Sequence, residues 1–166
     1  AYGFDSEVIR TSAPSYMTDQ EHQVKCLGLE DFWGNYWEFI DGLTSDANRN
    51  VMTCDIAKNF VTNGNGYKNN GNGGVTANIA NYMKLPQGGS NAGFTARDVS
   101  GSDSTYFTDY AYLYASCLAV FGGDWVNALI AGAFLLGVIN AFSFSAVYVG
   151  CRLMFMHKEE TEEEAA

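Results

Sequence analysis

Three acidic residues form the tightest group of side chains in this sequence that could perform acid–base chemistry. Asp31, Glu38 and Asp41 lie close together along the chain. Two carboxyl groups at a suitable separation can act as a general acid and a general base, and three could supply oxygen ligands to Ca²⁺. Because charged side chains at turns are usually solvated, we expect these three to be surface groups rather than a catalytic or metal site.

The other potentially reactive groups are four widely spaced cysteines, Cys26, Cys54, Cys117 and Cys151. No two of them form a C-x-x-C pair, and His22 and His157 are the only histidines, so a zinc site is not predicted. Four cysteines allow three disulfide pairings, which the sequence leaves open, and we expect buried free thiols. Common catalytic and phosphate-binding motifs such as G-x-S-x-G, H-E-x-x-H and G-x-x-x-x-G-K-[ST] do not occur. We therefore expect no catalytic residues, no metal and no cofactor.

Length and charge restrict the class of protein. The 166 residues are enough for one domain with a substantial core, and the 19 acidic residues outnumber the 9 basic ones, which disfavours a nucleic-acid partner. Residues 157–166 contain five Glu and are predicted to be a solvated acidic tail after a single domain at residues 1–156. The chain begins at Ala1 without a secretory signal, as expected of a processed product or an excised domain. Ten tyrosines and eleven phenylalanines exceed what the core requires and indicate a contact surface.

Strands and turns are the elements predicted to position a site. In the segment Cys26–Leu43 apolar residues recur at helical spacing, but Gly34-Asn35 in its middle favours a turn followed by a strand. Tyrosines of one parity between residues 106 and 114, with apolar residues of the other parity, predict a strand with a tyrosine face. The Asn- and Gly-rich run at 63–74 predicts turns, and 83–104 is predicted to be surface. The predicted strands lie near residues 7–9, 35–40, 51–60, 106–115, 116–122 and 149–156.

The longest uncharged stretch allows two structures. Between Asp124 and Arg152 no side chain is charged, and a helix of that length could cross the hydrocarbon core of a membrane. However, polar residues interrupt the stretch, and Phe142-Ser143-Phe144-Ser145 alternates with the period of a strand. Glycines within it also oppose a helix. We predict strands joined by irregular backbone, and a single membrane span remains the alternative.

Two motif groups resemble a known family. The pattern G-G-x-W, A-G-x-F, A-x-S-x-S and G-x-R-L in residues 122–155 resembles the carboxy-terminal variable region of proteins diversified by retroelements. The segment CLGLEDFWGNYWEFIDGL resembles the G-L-x-D-x-x-G-N-x-W-E-W signature of the formylglycine-generating-enzyme branch of the C-type lectin fold. Adenine randomisation of AAC codons never yields Lys, Glu, Gln, Met or Trp, and residues 126–150 contain none of these five.

The resemblance implies an α+β, β-rich fold: a C-type-lectin-like domain with short antiparallel strands, one or two short helices and much irregular loop. It implies a non-enzymatic protein whose variable face, residues 122–155, binds a macromolecular ligand, expected to be a protein on a cell or phage surface. A virion tail or a cell surface is then the expected location. The alternative is a formylglycine-generating-type enzyme, but the catalytic cysteine motif of that family does not occur here.

The resemblance also assigns roles to individual residues. The positions that match the fixed scaffold are Trp125, Ala131, Gly132, Phe134, Ala141, Ser143, Ser145, Gly150 and Arg152. The variable positions, which would contact the ligand, are Asp124, Val126, Asn127, Ile130, Leu135, Gly137, Ile139, Asn140, Phe142, Phe144, Ala146 and Tyr148, with Leu129 and Val147 as further candidates.

We expect the variable side chains to be more exposed than the fixed Trp125, Phe134 and Arg152, because a diversified position must tolerate arbitrary residues without disrupting the core. The phenylalanines and Tyr148 would then be apolar anchors within an exposed apolar patch. The expected polar contacts that orient the ligand are Asp124, Asn127 and Asn140.

Overall fold

The computed structural model describes residues 25–26, 29–30, 32–89, 92–105, 110–127 and 130–151. Several predictions lie outside these residues: the strand near residues 7–9, the acidic tail, and the positions Asp31, Leu129 and Arg152.

The described residues are almost entirely strand, turn and loop. One 3-10 turn, Ala57–Asn59, is the helical element among them. The strands are β1 (Lys25–Cys26), β2 (Leu29–Glu30), β3 (Trp37–Ser45), β4 (Val51–Thr53), β5 (Lys68–Asn69), β6 (Ile79–Tyr82), β7 (Leu85–Pro86), β8 (Ala96–Asp98), β9 (Tyr110–Leu113), β10 (Cys117–Gly122), β11 (Gly132–Ala141) and β12 (Val149–Gly150).

Eight of these strands form one mixed sheet. Its order is β5-β4-β3-β10-β11-β9-β6, and β12 pairs with β3 beside this path. Strand β10 lies along one edge of β3, whereas β4 and β12 pair with different halves of β3 along the other edge. The pairs β9–β11 and β3–β12 are parallel and the other pairs of this sheet are antiparallel. The expected β-rich fold is therefore confirmed, and the expected antiparallel pairs are joined in this sheet by two parallel ones.

The two faces of the sheet pack into separate apolar clusters. Successive residues of a strand point to opposite faces, so Ala119 and Leu113 enter one cluster while their neighbours Val120 and Tyr112 enter the other. We call the first the structural face; its buried residues are Leu43, Val51, Val75, Ala92, Leu113, Cys117, Ala119 and Val138. We call the second the groove face; its buried residues are Trp37, Val120 and Leu135, with Phe39, Tyr110, Tyr112, Ile139 and Val149 packed against them.

The Asn- and Gly-rich run forms turns, as predicted. Three asparagine side chains there accept a hydrogen bond from the backbone N–H two residues later, in the bonds Asn65 N to Asn63, Gly71 N to Asn69 and Gly74 N to Asn72. Such local bonds stabilise turns without a hydrophobic core. From this region Tyr67 and Val75 supply apolar side chains that are buried. The run thus covers part of the structural face.

Most strand predictions are confirmed, and their limits are explained by hydrogen bonding. The strand predicted near residues 35–40 begins at Trp37 after a bend and continues to Ser45. The prediction of a strand at 51–60 is wrong beyond Thr53. Cys54 N still bonds to Gly42 O, but Gly42 has a φ of 79° at an irregularity of β3, and a 3-10 turn follows in the chain after Cys54. The tyrosine strand is confirmed for Tyr110–Leu113.

The long uncharged stretch is not one helix. Its described part contains the ten-residue strand β11, a turn, and the short strand β12. Throughout the described residues, no helix has the length and apolar character that a membrane span requires. The prediction of strands joined by irregular backbone is confirmed for these residues.

Candidate functional site

Three segments that are distant in sequence meet beside Trp37. The backbone N–H of Gly34 donates to the carbonyl oxygens of Gly122 and Gly123, at 3.2 Å each. The N–H of Trp37 donates to the carbonyl oxygen of Tyr148 at 3.0 Å, and β12 then pairs with β3. The two motif groups identified in the sequence therefore form one local structure.

A glycine pair is needed where β10 leaves the sheet. Gly122 and Gly123 have φ angles of 89° and 78°, which L-residues with a side chain rarely adopt. A Cβ on Gly123 would lie 2.8 Å from the Leu135 side chain and 3.1 Å from Asn127 Oδ1. The pair allows the next loop, residues 124–127, to pass closely over β11.

The 124–127 loop is closed by its own polar side chains. The N–H of Asp124 donates to Asn127 Oδ1 at 2.7 Å, and the N–H of Val126 donates to Asp124 Oδ1 at 3.1 Å. The N–H of Asn127 completes the turn by donating to the Asp124 carbonyl at 3.1 Å. Asp124 is only 4% exposed, so the expectation that it is a surface residue is wrong. Its carboxylate helps to fold the loop.

A groove of about 510 Å³ lies between this loop, the turn before β12 and the groove face of the sheet. Trp37, Tyr112 and Ile139 belong to the apolar cluster of that face and form the base of the groove. The full lining is Trp37, Tyr112, Asp124, Trp125, Val126, Asn127, Ile139, Asn140, Phe144 and Tyr148.

Aromatic rings contact one another around the groove. Trp125 lies between Tyr36 and Tyr148, with ring centroids 5.4 Å and 6.4 Å away and both ring planes at 85° to its own. Tyr148 continues to Phe144 at 6.3 Å. In the base, Trp37 and Tyr112 are 6.4 Å apart at 70°. Edge-to-face packing of this kind is a favourable aromatic geometry, so the rings hold one another in place.

The groove has a negative electrostatic character. Burial, the neighbouring phenols of Tyr110 and Tyr114, and the Asp124 carboxylate raise the pKa of Tyr112 to about 12. Tyr112 is therefore a neutral phenol at physiological pH and can donate a hydrogen bond. Among the described residues that line the groove, Asp124 alone carries a charge.

Most of the predicted variable positions meet at this groove. Val126 is 72% exposed at its rim, and Tyr148 is also exposed. The members of the set that line the groove are Asp124, Val126, Asn127, Ile139, Asn140, Phe144 and Tyr148. Ile130, Phe142 and Ala146 are partly buried outside the lining, and the further candidate Val147 is exposed.

The expected contrast between variable and fixed positions is wrong at several residues. Leu135 is fully buried and Gly137 is buried, whereas the supposedly fixed Phe134 is 78% exposed and Trp125 is also exposed. Leu135 has the parity of Ile139 and lies with it in the cluster of the groove face, where the backbone at Gly123 lies close to its side chain. Phe134 lies at a bulge in β11, because Phe121 pairs with Leu136 but the next residue of β10, Gly122, pairs with Gly132, so residues 133–135 are outside the regular ladder.

Sequence reasoning missed three groove residues. Trp37 belongs to the predicted strand near residues 35–40, Tyr112 to the predicted tyrosine face and Trp125 to the predicted fixed scaffold, and none of them is among the predicted ligand-contacting positions. All three line the groove. The period-two alternation of β9 does place Tyr112 on one face, but only the parallel pairing of β9 with β11 places that face beside Ile139 and Asn140.

The other reactive side chains lie outside the groove. Cys117 is buried on the structural face, where burial raises the pKa of its thiol, whereas Cys151 is exposed. The prediction of buried free thiols is therefore right for Cys117 and wrong for Cys151. Asp41 is exposed as expected, but Glu38 is buried.

The described residues contain no group of acidic, histidine and cysteine side chains that could hold a metal ion. Comparison of the chain with protein-family models, curated proteins and solved structures found no match.

Proposed function

We propose that this protein is a non-enzymatic binding protein that recognises a macromolecular ligand through the groove and its rim. The observation that carries the proposal is the convergence of seven predicted variable positions around one groove. These residues come from the 124–127 loop, the end of β11 and the turn before β12. Residues selected only by a sequence pattern would rarely meet in this way unless the pattern reflected a shared surface.

The chemistry of the groove suits recognition. Ligand sites are typically concave, about 300–1,000 Å³ in volume, and lined by apolar and aromatic side chains with a few polar groups. This groove has four indole or phenol rings, together with Ile139 and Phe144, and its polar groups are Asp124, Asn127 and Asn140. Asn140 thus keeps its predicted role as a polar contact for the ligand.

The rim favours a macromolecule over a small molecule. Val126 and Val147 are 72% and 83% exposed, and Trp125 and Tyr148 are exposed beside them. Exposed apolar residues next to a groove are typical of protein interaction sites, where a large partner covers them. We therefore propose a protein ligand, located on a cell or phage surface as in the resembling family.

The framework beneath the groove is suited to diversification. Gly122, Gly123 and the β3–β12 pairing position the backbone through bonds that do not depend on the side chains of Val126, Asn140, Phe144 or Tyr148. Different side chains could therefore occupy these four positions on one backbone. This supports the further proposal that the chain is a variable protein of a diversity-generating retroelement with a C-type-lectin-like fold.

The enzymatic alternative has less support. A formylglycine-generating-type activity requires a pair of reactive cysteines, and neither Cys117 nor Cys151 lines the groove. Cys117 lies on the opposite face of the sheet, and its raised pKa disfavours the reactive thiolate.

The proposal can be tested with two displayed libraries. One randomises Val126, Asn140, Phe144 and Tyr148, and the matched control randomises the same number of core positions, Leu43, Val120, Leu113 and Val138. We expect most members of the first library to retain a cooperative melt and to yield specific binders to immobilised proteins, whereas most members of the second fail to fold. Equal loss of folded members in both libraries, or a folded first library without binders, would contradict the proposed function.

The origin of the variable positions has its own test. The neighbouring DNA should contain a reverse-transcriptase gene and a near-copy of codons 122–155 with adenines at the variable positions. Absence of both would contradict diversification by a retroelement, while leaving the binding function to the library experiment.

A further inference from the structure

The groove contains one charged side chain among the residues that the structure describes around it. Asp124 is almost fully buried, and its carboxylate accepts a hydrogen bond from the backbone N–H of Val126. The described residues that line the groove include no lysine, arginine or histidine. Burial of a charge is costly unless an opposite charge or several hydrogen bonds compensate it. A cation bound in the groove would therefore supply a counter-charge for Asp124.

Aromatic rings line the groove together with this carboxylate. Trp125 and Tyr148 pack edge to face at 85°, and Trp37 and Tyr112 in the base are inclined at 70°. In an edge-to-face pair the ring that offers its edge keeps both of its faces free of its partner. A cation within about 6 Å of a ring centroid is attracted to such a face.

The field in the groove has the matching sign. Besides burial, nearby groups that include the Asp124 carboxylate raise the pKa of Tyr112, because they disfavour a negative charge on its phenol. The chain as a whole has a net charge of −10, which adds a long-range attraction for basic partners. A neutral apolar ligand would use the rings but would leave the Asp124 charge buried without a counter-charge.

We propose that the groove binds a cationic side chain, that of an arginine or lysine on a protein ligand. This inference depends on the binding function proposed above. The Asp124 carboxylate pairs with the guanidinium or ammonium group, and the faces of Trp125 and Tyr148 contact the same group. Asn140 and the Tyr112 hydroxyl line the same groove, and the exposed Val126 and Val147 contact the surrounding surface of the ligand.

The probes are short peptides, acetyl-Gly-X-Gly-amide, in which X is arginine, lysine, citrulline or norleucine. Binding to the full chain is followed through the NMR signals of the three tryptophan indole N–H groups. We expect saturable binding of the arginine and lysine peptides that shifts the Trp125 signal and weakens with added salt. Citrulline has nearly the shape of arginine but no charge. The citrulline peptide should therefore bind at least about tenfold more weakly than the arginine peptide.

The key variant is Asp124→Asn, in which an amide oxygen can still accept the hydrogen bond from Val126. It should keep the loop folded but weaken binding of the arginine peptide about tenfold or more. The matched control is Asp98→Asn. Asp98 accepts the same kind of bond from the N–H two residues later, that of Ser100, and it lies outside the groove lining. This control loses one charge of the same kind and should bind like the parent chain.

A second pair of variants tests the rings. Tyr148→Phe keeps the ring face and should bind the arginine peptide like the parent, whereas Tyr148→Leu should bind it about two- to fivefold more weakly. Leucine remains apolar, so a simple hydrophobic contact would not distinguish these variants in the same way.

Three outcomes would overturn the inference: equal binding of citrulline and arginine peptides, equal effects of the Asp124 and Asp98 changes, or no saturable binding of either basic peptide. If the groove library still yields binders to neutral proteins in any of these cases, only the cationic preference fails. If that library also yields none, the proposed binding function fails with it.

Discussion

The two faces of the central sheet are built from alternate residues of the same strands, yet they differ in how the rest of the chain covers them. On the structural face, Val75 and Ala92, which lie outside the strands, close a cluster with Val51, Leu113 and Val138. On the groove face, three side chains are buried, and the short segments at 124–127 and 144–148 leave about 510 Å³ of open groove above them. A sheet that is covered completely on one side can leave its other side available for binding without losing its core.

The largest expected effects concern buried leucines that support each face. Leu113→Ala on the structural face and Leu135→Ala on the groove face should each lower the free energy of unfolding by about 2–5 kcal/mol, because each leaves a cavity in packed surroundings. Chemical denaturation of both variants measures this. The adjacent change Phe134→Ala removes an exposed ring and should alter stability by less than about 0.5 kcal/mol. If Leu135→Ala had a small effect on the free energy of unfolding and Phe134→Ala a large one, Leu135 would be a surface residue and Phe134 a core residue.

The next effect concerns the glycine pair that positions the groove loop. Gly123→Ala combines a positive φ with a contact of 2.8 Å to Leu135 and should cost about 1–3 kcal/mol. Gly132→Ala is the control, because its φ is not positive and no atom lies within 4 Å of the added Cβ. That control should be as stable as the parent or slightly more stable. Thermal melts measure both changes. A greater loss of stability for Gly132→Ala than for Gly123→Ala would show that position 123 does not require a glycine.

A smaller effect on stability, with a larger one on binding, is expected at Phe144. This ring is partly buried and lines the groove, so in a library member that has kept Phe144 the change Phe144→Ala should weaken binding of the selected protein ligand by more than about 1 kcal/mol. Its effect on stability should be clearly smaller than that of Leu135→Ala. Phe142 is equally half-buried but lies outside the lining, and Phe142→Ala should leave affinity almost unchanged. Paired melting and affinity measurements on both variants distinguish a ligand anchor from a packing residue.

The smallest effect is a pH dependence at the base of the groove. The pKa of Tyr112 is about 12 in the folded protein against an ordinary 10.0, so the folded state holds the phenolic proton more tightly than the unfolded chain does. The stability this provides is fully present below pH 10 and is lost as the pH rises from about 10 to about 12. Between pH 10 and pH 12 the melting temperature should fall less steeply with rising pH for Tyr112→Phe than for the parent. Identical curves would show that Tyr112 is more solvated than its position in the groove implies.

Local patterns in the sequence predicted most of the elements. The alternation of apolar and polar residues predicted strands at Tyr110–Leu113 and within residues 117–122, and glycine and asparagine predicted the turns at 63–74. These features depend on neighbours within a few residues, which is why they can be recognised without the fold. The same local reasoning failed where the partner strand decides the outcome, as at Cys54, which lies opposite Gly42, a residue of positive φ at an irregularity of β3, where β4 ends.

The sequence by itself predicted irregular β-structure for residues 122–155, which is confirmed where the structure describes them, at 122–127 and 130–151, and it placed Trp125, Phe144 and Tyr148 in a common motif region. Only the tertiary structure decided which side chains face the groove. Leu135 is buried beside the Gly123 backbone, whereas Phe134 lies exposed at the bulge in β11. The pairings of β9 with β11 and of β12 with β3 bring Tyr112 and Trp37 beneath the same groove. The physical reason is that side-chain alternation is a property of one strand, whereas bulges and strand partners depend on contacts between segments far apart in the chain.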